Sequence, residues 1–192
     1  MSQRILIILG HPSSKSFCGA LADAYEKGAK AAGHEVQRIS LGTLSFDPIL
    51  HNGYATIQPL EPDLLAAQAA LIRAQHIVFV YPVWWGAMPA LLKGFIDRVF
   101  LPGFAFKFHD NSMRWDRLLS GRSAHLLVTM DTPPWYFRWV NHMPGHHQMR
   151  RTILGFCGIK PVIISNFGPI KDASDQKRAK WLARANSYGK NA

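Results

Sequence analysis

The chain has 192 residues, 22 Lys and Arg against 12 Asp and Glu, and a formal charge of +10. That length predicts one domain spanning residues 1–192, with a single sizeable core. No apolar run approaches the roughly 18–20 residues of a membrane span. Cys18 and Cys157 stand far apart and outside any CxxC pattern, which argues against a disulfide framework or a zinc site. Two isolated thiols, in a chain that enters a strand almost at once with no room for a leader, predict a cytoplasmic setting. The charge makes nucleic acid the obvious partner to test. The basic residues are nevertheless spread along the chain. The densest stretch, Lys171 to Arg184, interleaves Asp172 and Asp175 and reads as a solvated helix face, so no nucleic-acid partner is expected.

In chain order, Arg4 to Leu9 is a continuous apolar run, as in a strand buried on both faces. It ends in the turn Gly10-His11-Pro12, and Ser13 to Ser16 offer caps for a helix from Phe17 to Ala32 that stops at Gly33. Glu35 to Ser40 is a second strand. Leu41 to Pro62, with its Asp-Pro and Asn-Gly pairs, reads mostly as loop. Asp63 to Ala74 is a helix with a good N-cap. His76 to Tyr81 is the third strand and Pro89 to Phe100 the next helix. Leu101 to Gly121 is an aromatic, charged insertion, a hairpin or long loop. Ser123 to Met130 is the fourth strand, Asp131 to Gly145 a loop, His146 to Cys157 a helix, Lys160 to Asn166 the fifth strand and Ala173 to Tyr188 the closing helix. Strands and helices in alternation predict an α/β fold: a five-stranded parallel sheet of order 2-1-3-4-5 with helices on both faces, a three-layer sandwich.

Ligands of such sheets bind at strand carboxyl ends. Three segments leave those ends with useful chemistry. After the first strand, Gly10 to Phe17 lacks both GxGxxG and the GxxxxGK[ST] phosphate loop. It does bring hydroxyls and free N–H groups to a helix N-terminus, which favours phosphate; plain helix capping explains the same serines. After the third strand, Tyr81-Pro82-Val83-Trp84-Trp85-Gly86 places two indoles where a flat ligand would lie, and this points to a flavin. Thr129-Met130-Asp131-Thr132 leaves the fourth strand at the same edge and completes the cradle, although Asp131 serves equally well as a turn cap. His142, His146 and His147 lack a carboxylate to complete a metal set, and no metal is expected. Tyr136 and one of these histidines are candidates to line the pocket. There is no GxSxG elbow and no acidic pair for glycoside chemistry. That pattern suits an enzyme whose cofactor carries the reaction.

Gly10-His11-Pro12 with Ser16-Phe17, the run Tyr81-Pro82-Val83-Trp84-Trp85 through Met88-Pro89-Ala90-Leu91-Leu92-Lys93-Gly94 to Asp97-Arg98-Val99-Phe100, and then Pro102-Gly103-Phe104, resemble the NAD(P)H:quinone oxidoreductase family. Bacterial relatives of that family include modulator of drug activity B and the ancillary flavoproteins of potassium-efflux systems. The resemblance covers nearly the whole chain and implies a flavodoxin-like fold, tightly bound FMN or FAD, NADPH or NADH as donor, and a homodimer with active sites at the subunit interface. It implies ping-pong, two-electron reduction of a quinone or similar aromatic acceptor. By position, His11, Ser16, Phe17 and Cys18 would meet the phosphate and ribityl part. Pro82, Val83, Trp84, Trp85 and Gly86 would meet the isoalloxazine, and Thr129, Met130, Asp131 and Thr132 its other edge. Tyr136 and His146 would be catalytic, steadying the acceptor oxygen. Where better-studied members carry a glycine-rich turn after the fourth strand, this chain reads Met130-Asp131-Thr132-Pro133-Pro134, and it is short of the longest members' C-terminal extension. Two further readings stand beside this one. The first is a regulatory flavoprotein docked on a membrane transporter such as a potassium-efflux system, with the charge and the Leu101 to Gly121 insertion as its docking surface. The second is a flavodoxin-type electron carrier.

Overall fold

The computed structural model describes residues 2–192. In β1 (Arg4–Leu9) every side chain after Arg4 is buried, as a strand covered on both faces requires. α1 (Phe17–Ala31) follows, and its N-cap Ser16 accepts the Gly19 N–H through its hydroxyl. β2 (Glu35–Ser40) lies at the sheet edge and is largely open to solvent. α2 (Pro62–Arg73), β3 (His76–Pro82) and α3 (Ala90–Val99) come next. The aromatic insertion forms a short antiparallel hairpin, β4 (Phe106–Phe108) with β5 (Trp115–Arg117). The chain returns to the sheet as β6 (Ser123–Thr129). It then passes through α4 (Pro134–Trp139), α5 (Pro144–His147) and a π-helical stretch, Gln148–Gly155, and ends with β7 (Val162–Phe167) and α6 (Asp175–Lys190).

The sheet order is β2-β1-β3-β6-β7 with every pairing parallel, which is 2-1-3-4-5 when sheet strands alone are counted. Side chains alternate across each strand, so each face feeds its own core. Ile5, Ile7, Leu9, Val78 and Val80 pack under α1 and α6 through Leu21, Tyr25 and Trp181. Leu6, Ile8, Phe79 and Leu126 pack under α2 and α3 through Leu64, Leu71, Leu92 and Phe95.

Three expectations change. The good N-cap expected for α2 is absent: the cap residue is Glu61, and it gives no side-chain cap bond. Its carboxylate is committed elsewhere, to Arg98 and to the Asp47 N–H at 3.0 Å, while Asp63 accepts the Ser45 N–H at 2.7 Å. The Asp131 to Gly145 segment is not all loop. Pro134 opens α4 at its first turn, where a missing N–H costs nothing. The helix expected from His146 starts two residues earlier, at Pro144, and widens into π turns.

Arg98 is the largest fully buried side chain. It donates to both Glu61 carboxylate oxygens and to the Asp47 and Pro59 carbonyls, which fastens the long segment between β2 and α2 to α3. Removing Glu61 would leave the buried Arg98 charge without its counter-ion, although Glu61 itself keeps partial contact with solvent, so the cost is expected to fall below the ~3–5 kcal/mol of a fully buried pair.

Two buried histidines tie stability to pH. His76 (Nδ1 2.7 Å from Ser123 Oγ) and His125 (Nε2 3.0 Å from Ser165 Oγ) are each lowered to about 4, chiefly by burial. Unfolded, both take up a proton near pH 6.5. Their contribution is therefore whole above about pH 6.5 and is lost as pH falls towards about 4, on the order of 2–3 kcal/mol each. Urea midpoints are expected to drop between neutral pH and about pH 5, and His125→Phe, set between Tyr25 and Tyr188, should roughly halve that drop. Equal midpoints at the two pH values would exclude the linkage.

Candidate functional site

Three chain segments leave the sheet together, because the ladders continue past the strand ends. Gly10 donates to the Val80 carbonyl (2.8 Å), Val83 to Thr129 (2.7 Å) and Met130 to Phe167 (3.0 Å). Between them opens a cleft of about 180 Å³ lined by His11, Ser16, Phe17, Cys18, Pro82, Val83, Trp84, Thr129, Met130, Asp131 and Ile170.

One end of the cleft is the start of α1. Ser16 satisfies the Gly19 and Ala20 N–H groups, and the Phe17 and Cys18 N–H groups are left without an intrahelical partner. Gly19 lets the preceding loop lie against the helix, since a Cβ there would collide with the Ser14 carbonyl. The main chain of Ser13 holds His11 Nδ1 at 2.9 Å, and the imidazole meets the Trp84 ring edge-on with centroids 5.7 Å apart. Uncommitted N–H groups at a helix N-terminus favour an anion.

The other wall is built on a tight turn. Trp84 and Ala87 exchange main-chain hydrogen bonds at 2.9 and 3.0 Å, and the two central residues have positive φ, 52° at Trp85 and 77° at Gly86. This is the pattern of a type I′ turn. Gly86 tolerates it; Trp85 does so at a cost of about 1–2 kcal/mol, and its indole is fully exposed. A second clamp holds the turn from behind. Gly145 donates to the Gly86 carbonyl at 2.9 Å, and a Cβ on Gly145 would sit 2.7 Å from that oxygen.

Ten of the expected site residues thus line one cleft, together with Ile170, which the sequence reading missed. Ile170 follows β7 and is placed by its N–H bond to the Met130 carbonyl at 3.1 Å; only the closing of the sheet brings it there. Trp85 and Gly86 belong to the turn and do not line the cleft, and Thr132 lies beyond its rim. Asp131 also caps a turn, accepting the Lys171 N–H at 2.8 Å. Tyr136 lies half-exposed on α4. His146 faces a different space. It is buried, its Nε2 lies 2.8 Å from Asn166 Oδ1, and its Nδ1 has no partner among the described residues. Burial lowers its pKa, the Asn166 bond opposing and His147 adding to the shift.

That second space, about 560 Å³, is lined by Trp135, Arg138, Trp139, His147, Arg150 and Asn166 among others. A basic groove of about 710 Å³ adjoins it through Arg150 and adds Arg117, Arg151 and Lys160. Arg117, Arg138, Arg150, Arg151 and Lys160, dispersed in sequence, are gathered by the fold beside β7.

The model of the flavodoxin-like fold family matches residues 3–188. An uncharacterized NAD(P)H oxidoreductase of Haemophilus influenzae is 31% identical over 187 residues, covering 94% of this chain and 91% of that protein. Human ribosyldihydronicotinamide dehydrogenase [quinone] is 27% identical, covering 98% of this chain and 93% of its own. Among solved structures, the NAD(P)H:quinone oxidoreductase from Methanothermobacter marburgensis superposes with a TM-score of 0.84 at 26% identity, covering 100% of this chain and 99% of the other.

Cys18, in the floor of the cleft, has its Sγ 3.2 Å from Thr129 Oγ1, and burial raises its pKa to about 11 against the lowering effect of that bond. Burial raises Cys157 to about 12. Thiolates, not thiols, react. A disulfide reagent at about pH 8 should therefore label neither thiol of the folded chain within minutes, and both in denaturant. Rapid labelling of Cys18 would show the cleft floor to be open.

Proposed function

The chain belongs to the flavodoxin-like family of NAD(P)H:quinone oxidoreductases, and from that membership we propose that the cleft at the ends of β1, β3 and β6 holds a flavin and that the protein reduces quinones at the expense of NADPH or NADH. The cleft itself carries this reading. It joins a phosphate-ready helix start to an aromatic wall across a floor of apolar and hydroxyl groups, and that sequence of chemistries matches the phosphate, ribityl and ring parts of a flavin. When bound, the flavin supplies the hydride chemistry.

The chain's own residues bind and orient. The Phe17 and Cys18 N–H groups would hold the phosphate, while the Ser16 hydroxyl, donating to the Ser13 carbonyl and accepting the Gly19 N–H, fixes the helix start that presents them. Trp84 and His11 form one wall against the ring. Pro82, Val83, Thr129, Met130 and Asp131 border its edge, with the main-chain bond from Val83 to Thr129 fixing their spacing. A wall held this rigidly needs no reorganisation as charge develops on the ring. Tyr136 steadies the acceptor oxygen with its phenol. His146, committed to Asn166, acts as a positioning residue for the α4–α5 segment rather than touching the acceptor. The setting is cytoplasmic.

At about 180 Å³ the cleft encloses only part of a flavin, and the indole beside it, Trp85, is held in strained backbone and lies wholly in water. Backbone strain collects where a ligand or partner uses it. This supports a homodimer in which a second copy covers Trp85 and closes the cleft.

The purified protein is expected to show flavin absorbance that bleaches anaerobically with NADPH or NADH and returns on adding a quinone. A colourless protein that neither FMN nor FAD reconstitutes would overturn the proposal. Trp84→Ala should weaken flavin retention about tenfold. Trp85→Asn relieves the left-handed strain, so it should leave the melting temperature of the separated protomer unchanged or raised while shifting sedimentation towards monomer and lowering turnover. An unchanged dimer with full turnover would sink the role given to Trp85.

A further inference from the structure

The flavin cleft leaves unused the neighbouring space over α4 and α5. Only two residues separate Asp131, on the rim of the cleft, from Pro134, on the rim of that space. Its volume, about 560 Å³, falls in the range of a ligand site. Two indoles, Trp135 and Trp139, stand in it largely exposed. Arg138 lies over the Trp139 ring at 5.1 Å. The Arg138, His147 and Arg150 side chains make no ion pair among the described residues. Their charge is therefore available to a ligand standing against the two indoles.

Unneutralised cations beside flat aromatic faces suit a ligand that is itself an aromatic ring joined to phosphates. An indole offers a stacking surface and a guanidinium a fork matched to phosphate oxygens. Resting on the reading of the flavin cleft, we infer that this space takes the adenosine half of the donor, and that Arg138 and Arg150 select NADPH over NADH by meeting its 2′-phosphate. Trp135 or Trp139 stacks on the adenine. The nicotinamide end then crosses the Asp131–Pro133 rim to the cleft. A charge-assisted pair to a phosphate that NADH lacks gives discrimination of about tenfold or more.

The test uses the flavin-loaded protein. Wild type is expected to show kcat/KM at least tenfold higher with NADPH than with NADH. Arg138→Ala and Arg150→Ala, made singly, should each raise the KM for NADPH several-fold and leave the NADH constants and kcat unchanged, with partial rescue by Arg→Lys. Calorimetric titration with adenosine 2′,5′-bisphosphate should show binding that AMP does not match and that either alanine variant weakens. Equal use of the two donors with unaffected variants would overturn the inference and leave the quinone-reductase reading intact. Failure of the flavin to be reduced by either donor would overturn that reading instead, and the bisphosphate titration would still decide the space over α4 and α5. Tighter binding of a DNA duplex than of the bisphosphate, or variants that alter only the oligomeric state, would assign the cations to a macromolecular partner and also overturn the inference.

Discussion

The register of three parallel strands is the constraint on which the rest depends. Leu9 stands beside Val80 and Pro82 beside Thr129, so β1, β3 and β6 deliver their loops to one edge at matched depth. The main-chain bonds from Gly10, Val83 and Met130 carry the ladder a residue beyond the strands. The loops therefore leave from a fixed frame, and a one-residue slip would turn every inward side chain outward. Burial on both faces makes such a slip costly: Ile5 to Leu9 and Ile77 to Tyr81 have almost no exposed surface.

Upon that frame the protein places one ordinary device and one strained one. The ordinary device is the capped start of α1, where Ser16 satisfies some of the orphan N–H groups and leaves those of Phe17 and Cys18 without an intrahelical partner. The strained one is the Trp84 to Ala87 turn. Tryptophan is a poor choice for a left-handed position, and a solvent-exposed indole gains nothing from burial in the lone protomer. A residue that breaks two local rules at once marks a place where function outweighs folding. The clamp between Gly145 and the Gly86 carbonyl couples this turn to α5, so the aromatic wall and the segment carrying Tyr136 and His146 hold one another in place.

Charge shows the same division between local and assembled properties. A formal charge of +10 in a sequence without basic clusters suggests little beyond solubility. The fold brings Arg117, Arg150, Arg151 and Lys160 around one groove and Arg138, His147 and Arg150 around its neighbour. A field is focused there without any run of like charges.

Much of this was legible in the residues themselves. Continuous apolar runs marked buried parallel strands, and Ser16 marked the helix start. The Tyr81 to Gly86 run marked the edge where the cleft opens, because such patterns follow from periods and caps that act over a few residues. What escaped was decided by contacts distant in sequence. Glu61 has no cap bond to give because Arg98 takes its carboxylate from 37 residues away. Ile170 joins the cleft only because β7 closes the sheet. Trp84 and Trp85, identical and adjacent, were separated by one turn that aims one indole at the cleft and the other into water. His146, a candidate by the family resemblance, is drawn to Asn166, 20 residues on. The sequence by itself determined the alternation of strands and helices, the strand order and the edge at which the candidate cleft opens, since these rest on local propensity and hydrophobic period. Only the tertiary structure decided which side chains share a cavity, which polar groups are already satisfied and where the charge collects, because those depend on distances that packing alone sets.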